Sequence, residues 1–269
     1  MTLPAVPDTF YWSDEPWGPV LRCRPLAAVT PHAFTSRHLR LSPTEGAAEL
    51  AATVGATAVA QLSQVHGKAV VTVAHTVAHE ANWPAPWPEA DVLVSRSPVT
   101  ALAVRAADCV PLLMADPATG AVAAVHAGWR GTAAGAAVAA VQALAREFGT
   151  RPDQLVVAIG PSIRSCCYEV GTELVDAFAA AGHERYLIDR WFLAPAPPRG
   201  SRERPRLRLD LAGANRDQLI LAGVDEARVH ACGLCTAMHP AVLTSYRAEG
   251  AQAGRLGAVI LATPGRPGA

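Results

Sequence analysis

Three short segments carry the residue types that do chemistry: Gln64-Val65-His66-Gly67, Ala107-Asp108-Cys109-Val110-Pro111 and His126-Ala127-Gly128-Trp129-Arg130-Gly131. In each, an apolar run gives way to a turn, and each offers one side chain able to bind a soft or borderline metal: His66, Cys109 and His126. Imidazole and thiolate suit zinc or copper. Two nitrogens and one sulfur leave a tetrahedral ion one open position, as in a catalytic rather than a structural zinc. A water bound there loses a proton near neutral pH and becomes a nucleophile. Spacing alone leaves other readings open. The two imidazoles would serve equally well as hydrogen-bonded strand-end residues, with Cys109 a small buried apolar group. Without a metal, Cys109 would be a nucleophile and His126 or His66 its base.

The turn Gly128–Gly131 leads from a strand into a helix. Its glycines let a ligand approach the backbone, the helix start offers free N–H groups, and Arg130 adds a full positive charge, so an anion such as phosphate would fit. A plain strand-to-helix connection reads as well. A P-loop is excluded, because the Gly-Lys-Ser/Thr element is missing. Cys232-Gly233-Leu234-Cys235 is a C-x-x-C without a second C-x-x-C or a histidine pair nearby, and it reads as non-catalytic. The adjacent Cys166 and Cys167 read as packed thiols.

Short strands and helices must position these residues. Apolar runs predict strands over 20–35, 69–73, 90–95, 100–104, 110–114, 121–126, 155–159, 242–246 and 256–261, with 58–65 alternating loosely before the first histidine turn. Helices are expected over 45–54, closed near Gly55, and from a Thr132 cap through Phe148 to Gly149. Two more are expected over 173–181 and from an Asp210 cap through Leu221 to Gly223. Strands outnumber helices and come in groups, which favours α+β over a doubly wound parallel sheet. Residues 82–89 are proline-rich and read as loop. The stretch 194–206 reads as a surface loop rather than a domain boundary, because only about 60 residues follow it. The expectation is a single domain over 1–269, with a disordered tail from Thr263.

The bulk composition removes several function classes. Net charge is zero, so there is no electrostatic case for nucleic acid or an anionic membrane. Lys68 is the only lysine, a genomic bias without functional content. Residues 1–10 lack a basic start followed by an apolar run, and 132–144 is alanine-rich and too weakly apolar to span a bilayer. A soluble, cytoplasmic protein is expected, with its six cysteines reduced.

Taken together, QVHG, ADCVPLL and HAGWRGT resemble, in order and approximate spacing, the three defining motifs of the YfiH-like family. Further matches are Gly160-Pro161, Cys167-Tyr168-Glu169-Val170-Gly171, the segment from Asp210 through Asn215 and Gln218 to Gly223-Val224, Cys235-Thr236 and Ser245-Tyr246-Arg247. The resemblance runs from about Phe34 to Leu261. It implies a four-layer α/β/β/α sandwich with mixed β-sheets, related to the cytotoxic necrotizing factor type of cysteine hydrolase. It also implies that His66, Cys109 and His126 are the metal-binding catalytic trio, carrying Zn2+ or alternatively Cu2+.

The activities implied are phosphorolysis of adenosine, inosine, guanosine and methylthioadenosine, and deamination of adenosine. Alternatives are copper-dependent polyphenol oxidation (laccase-like), metal-free cysteine hydrolysis, and a peptidoglycan-precursor editing role. Paired His-x-His motifs of a multicopper oxidase are absent. Partners would be a small nucleoside and phosphate, in a monomer or weak homodimer. Arg37 matches the family's N-terminal basic residue and, with Arg130, is a candidate phosphate ligand. Glu169 matches the glutamate of the E-V-G segment and is the candidate proton shuttle, with Asp108 a lesser one that orients its loop. The chain departs from the pattern at His38-Leu39-Arg40-Leu41, where a glycine-rich run is usual, and at Ala248, where a second basic residue is usual.

Overall fold

In the computed structural model, residues 2–42, 45–73, 86–194 and 206–265 are described. The chain opens with an antiparallel hairpin, β1 (Phe10–Glu15) and β2 (Gly18–Cys23), then a single helical turn, α1 (Arg24–Ala27), and β3 (His32–Thr35). Helix α2 (Ala47–Val54) leads to β4 (Ala58–Ala60), β5 (Val70–Val73) and β6 (Val92–Ser95). Strands β7 (Thr100–Ala106), β8 (Val110–Ala115) and β9 (Val122–Ala127) come next. Helices α3 (Trp129–Ala134) and α4 (Ala136–Phe148) precede β10 (Val156–Ile159). Then come β11 (Glu169–Val170), α5 (Thr172–Ala180), α6 (Arg185–Trp191), β12 (Phe192–Leu193) and β13 (Leu207–Leu209). The chain finishes with α7 (Leu211–Leu221), β14 (Val229–Ala231), α8 (Tyr246–Glu249) and β15 (Leu256–Ile260).

Two six-stranded sheets result, ordered β1-β2-β3-β15-β7-β4 and β14-β10-β8-β9-β6-β5, with a small β11-β13-β12 sheet beside them. Both large sheets are mixed. Their central pairs are antiparallel, while β4–β7, β10–β14 and β5–β6 are parallel. The central strands β8 and β9 are buried at every position, as their unbroken apolar runs require of strands covered on both faces.

Alternation along the strands sorts the side chains into layers. Leu21, Phe34, Leu102, Val104, Ala258 and Ile260 of the first sheet pack against Leu93, Leu113, Ala115, Val122, Ala124 and Val156 of the second. The opposite face of the first sheet, with Val20, Ala33, Ala101, Ala103 and Val259, meets Leu50 and Val54 of α2. The outer face of the second sheet meets the buried alanines of α4, with Leu219 of α7, Phe178 of α5 and Trp191 of α6. The order is therefore helix, sheet, sheet, helix: the α/β/β/α sandwich that the resemblance implied.

Several expectations are corrected. The strand region expected over 20–35 is split into β2 and β3 by the helical turn α1, and β1 and helix α6 carry no expectation from the sequence. Thr132 does not cap a helix. The helix starts one turn earlier at Trp129, and Thr132 lies inside it, its Oγ1 accepting from Asn215 Nδ2 at 2.9 Å. One helix from 132 to 148 becomes two, because Gly135 takes φ +84° and ends α3 as it starts α4. The strand expected over 242–246 is absent. Val242 and Leu243 are buried in an irregular turn, and Ser245 caps the short α8 by accepting from Ala248 N. Thr263 is held by a hydrogen bond from its Oγ1 to the Val29 carbonyl, so the expected disordered tail does not begin there. Residues 195–205 of the surface loop, 82–85 of the proline-rich loop and 266–269 of the tail lie outside the described residues.

Candidate active site

Cys109 sits directly before β8, and His126 is the fifth residue of β9. The β8–β9 register sets Pro111 opposite His126 and Val110 opposite Ala127, which brings the thiol to the histidine's end of the ladder. His66 arrives from the turn before β5. Its ring meets that of His126 edge-on, 4.9 Å between centroids. The ligand atoms of His66, Cys109 and His126 all lie within 4.8 Å of one another.

Asp91, just before β6, ties the cluster together, and sequence reasoning missed it. The carboxylate is fully buried. It accepts from His126 Nδ1 at 2.8 Å and from the backbone amides of Val65, His66 and Gly67 at 3.3, 3.0 and 2.6 Å. Burial alone would raise its pKa. The His126 and amide hydrogen bonds outweigh burial and hold it below its usual value, hence ionised. With Nδ1–H committed to Asp91, His126 presents Nε2 to the site, as a metal-binding imidazole does when a carboxylate holds its other nitrogen.

Two non-glycine residues among those described have left-handed backbones, and both are here: His66 at φ +63° and Asp108 at φ +85°. Such conformations cost of order 1–3 kcal/mol, with His and Asp among the residues that tolerate them best. Asp91 pins the first. The second is fixed by hydrogen bonds from Thr236 Oγ1 and Arg247 N to the Asp108 carboxylate, and from Ile163 N to its carbonyl. Asp108 is thus a loop-orienting residue.

The trio's protonation is coupled. Burial pushes the Cys109 thiol up, but hydrogen bonds to His126 and His66 outweigh it and bring it down to about 6. Burial pulls His126 down, but Asp91 and Cys109 outweigh it and raise it to about 9. The result is a thiolate beside an imidazolium. Gly128 gives the cluster room: a Cβ there would stand 2.9 Å from both Cys109 Sγ and His66 Cδ2. Two imidazoles and a ready thiolate, converging beside a glycine whose Cβ would crowd two of them, fit a zinc or copper ion by donor set and by space.

The trio lines a cavity of about 710 Å³. Trp129, Tyr168 and Tyr246 supply aromatic faces, and Arg105, Arg130, Arg247 and Arg255 supply charge. Among the described residues, none of these four guanidinium groups forms an ion pair with a carboxylate. Burial and the nearby Arg255 charge together lower the Arg105 pKa, as expected where like charges gather without an anion.

Arg130 lines this cavity as expected, its guanidinium over the Trp129 ring. Arg37 and Glu169 do not. Arg37 pairs with Glu249 at 3.0 Å, donates to the Pro240 carbonyl and lines a neighbouring cavity that shares Arg255. The Glu169 carboxylate pairs with Arg206 at 2.7 Å, and only its backbone carbonyl touches the site, accepting from Arg247. Its strand β11 lies in the small sheet, paired with β13, and Glu169 is not among the residues that line the cavity. Sequence could have found Arg247 through the Ser-Tyr-Arg match, whereas Arg105 carries no local signal.

Face-to-face mixed sheets thus carry a two-histidine, one-cysteine cluster where β8 and β9 begin and end, and the comparisons with known proteins agree with that architecture. The chain belongs to the family described as multi-copper polyphenol oxidoreductase laccase, whose model matches residues 44–263. It is 37% identical over 262 residues to a purine nucleoside phosphorylase of Deinococcus radiodurans, covering 90% of this chain and 92% of that protein. Adenosine deaminase RL5, from an unknown prokaryotic organism, is 37% identical over 165 residues, 61% of this chain and 59% of that protein. The crystal structure of YfiH from Bacillus licheniformis superposes with a TM-score of 0.79 at 25% identity, covering 94% of this chain and 99% of that one. Among the described residues, no helix is long and apolar enough to cross a membrane.

Proposed function

We propose that this chain is a metal-dependent purine nucleoside enzyme. It would cleave adenosine, inosine, guanosine and methylthioadenosine by phosphorolysis, and deaminate adenosine at the same site. The observation that carries this reading is one cavity lined at once by the trio, three aromatic rings and four arginines whose guanidinium groups, among the described residues, form no ion pair. Its volume is in the range of small-molecule sites. The relatives' names, purine nucleoside phosphorylase and adenosine deaminase, support the same reading.

His66, Cys109 and His126 would hold the ion, with zinc the preferred metal and copper the alternative. Zinc would supply Lewis acidity at that end of the cavity. Asp91 keeps His126 in the right tautomer. The indole of Trp129 and the phenol rings of Tyr168 and Tyr246 offer stacking faces for a purine. Arg130, with Arg247, Arg105 and Arg255, takes the phosphate role that Arg37 cannot fill from its own cavity. In phosphorolysis a phosphate oxygen bonds to ribose C1′, the bond from C1′ to the purine nitrogen breaks, and its electron pair leaves with the base. The departing base needs a proton or a strong hydrogen bond. Burial, with the Cys109 charge, pushes Tyr168 up to about 12, so its hydroxyl stays protonated and can donate.

A second reading rests on a specific geometry. Cys109, His126 and Asp91 form a thiolate–imidazolium–carboxylate chain, the arrangement of a cysteine hydrolase that needs no metal. Chelation separates the two. Purified protein is assayed for purine release from adenosine and inosine, with and without phosphate, before and after dialysis against a chelator. The expected result is phosphate-dependent release that falls at least 100-fold on chelation and in Cys109→Ala. Turnover that survives chelation but not Cys109→Ala favours the hydrolase. Wild-type turnover in Cys109→Ala overturns both readings. No turnover of any nucleoside by the wild type would leave the peptidoglycan-editing alternative.

A further inference from the structure

A second group of sulfur atoms lies apart from the trio. Cys166 and Cys167 occupy the turn after Ile163, and Cys235 closes the loop after β14. Their sulfur atoms all lie within 4.8 Å of one another, Cys166 and Cys167 being 3.6 Å apart, and all three cysteines are free. The expectation that the C-x-x-C pair would stand alone and the adjacent pair would merely pack missed this meeting. Both members of the adjacent pair meet one member of the C-x-x-C, while Cys232 is buried among apolar side chains.

The two backbones are fixed relative to each other. Ser162 and Cys235 form a parallel bridge, with Ser162 N donating to the Leu234 carbonyl and Thr236 N to the Ser162 carbonyl. Gly233 turns the loop at φ +73°. Arg208 on β13 donates to the Cys166 carbonyl at 2.6 Å and so clamps the cysteine turn from the far side. Cys235 forms a buried floor and Cys166 an exposed rim, which leaves an ion a route in.

We propose that Cys166, Cys167 and Cys235 form a second metal site, a three-thiolate cup for a monovalent copper ion. Thiolates select soft cations. An ion held by three sulfurs at about 2.3 Å, the usual metal–thiolate length, spaces them about 4 Å apart. The Cys166 and Cys167 sulfurs are 3.6 Å apart and all three lie within 4.8 Å of one another, so small shifts complete the cup. No histidine or carboxylate among the described residues joins the group as a fourth ligand, which favours trigonal copper over tetrahedral zinc. On binding, three thiol protons leave to solvent and the complex carries two negative charges. Arg164 borders the cysteine turn with its Nε buried and, among the described residues, without a hydrogen-bond partner, and its guanidinium charge offsets part of that excess.

The test is a competition for Cu(I) against a chromogenic chelator, using the full-length reduced protein. Wild type is expected to take two equivalents and Cys109→Ala one. Cys166→Ser, at the exposed rim, should take one while keeping nucleoside turnover. X-ray absorption of copper-loaded Cys109→Ala should show sulfur as the only near neighbour, at a coordination number close to three. Two equivalents in Cys166→Ser, or a nitrogen- or oxygen-dominated shell in Cys109→Ala, would overturn the proposal. So would mass spectrometry showing a disulfide among the three cysteines in protein from the cell. Cys235→Ser removes the floor of the cup and should lose the same single equivalent, giving a second variant at a separate element.

Discussion

At the residue scale, Cys109 illustrates how neighbours decide chemistry. A buried thiol by itself is inert, because burial opposes the charged form. Two imidazoles reverse that and bring Cys109 down to about 6, while Asp91 and the thiolate carry His126 up to about 9. In metal-free protein the ion pair therefore exists between these values. The stability that Cys109 contributes is lost as pH falls through about 6, and that of His126 as pH rises through about 9. Alkylation of Cys109 by iodoacetamide, followed by peptide mass spectrometry on metal-stripped protein, should show a midpoint near pH 6. Replacing His126 with Ala should move that midpoint upward by more than one pH unit. A midpoint near 9 in the wild type would contradict the assigned ion pair.

At the element scale, strand ends and turns do the positioning. β8 and β9 bring Cys109 and His126 together by register, and the turn before β5 adds His66 through its amide bonds to Asp91. Gly128 stands at the start of α3 with ordinary dihedrals, φ −71° and ψ 176°, so alanine strains no backbone there. What alanine meets is the Cys109 sulfur and the His66 ring. Gly128→Ala should therefore fold with a melting temperature close to wild type. Its displaced ligands should lower turnover by about 100-fold, the usual scale for a misplacement of about 1 Å, and its metal content should fall in parallel. An active, metal-replete Gly128→Ala would show that the trio does not pack as described.

At the scale of the whole molecule, the interface between the two sheets holds the site rigid. Leu113 on β8 is fully buried there, four residues from Cys109. Leu113→Ala should cost about 2–5 kcal/mol by urea denaturation, from lost transfer energy and the cavity left behind. Leu221 at the end of α7 is 63% exposed, and truncating it should change stability by less than about 0.5 kcal/mol. Equal losses at the two positions would deny that the inter-sheet core carries the fold.

The sequence alone determined the local elements whose signals are local. The Asp210 cap, the closures at Gly55 and Gly149, the buried runs of β8, β9 and β10, and the three segments that carry His66, Cys109 and His126 were all legible from side-chain type and period. It could not determine contacts between distant turns, because nothing in the spacing of residues 66, 91, 109 and 126 encodes a distance in space. Pairing between strands decided that Asp91 would orient His126, that Glu169 and Arg37 would find other charges, and that the adjacent cysteine pair would meet one half of the C-x-x-C. Those outcomes depend on which backbone edges hydrogen-bond, and that choice is made only when the two sheets close on each other.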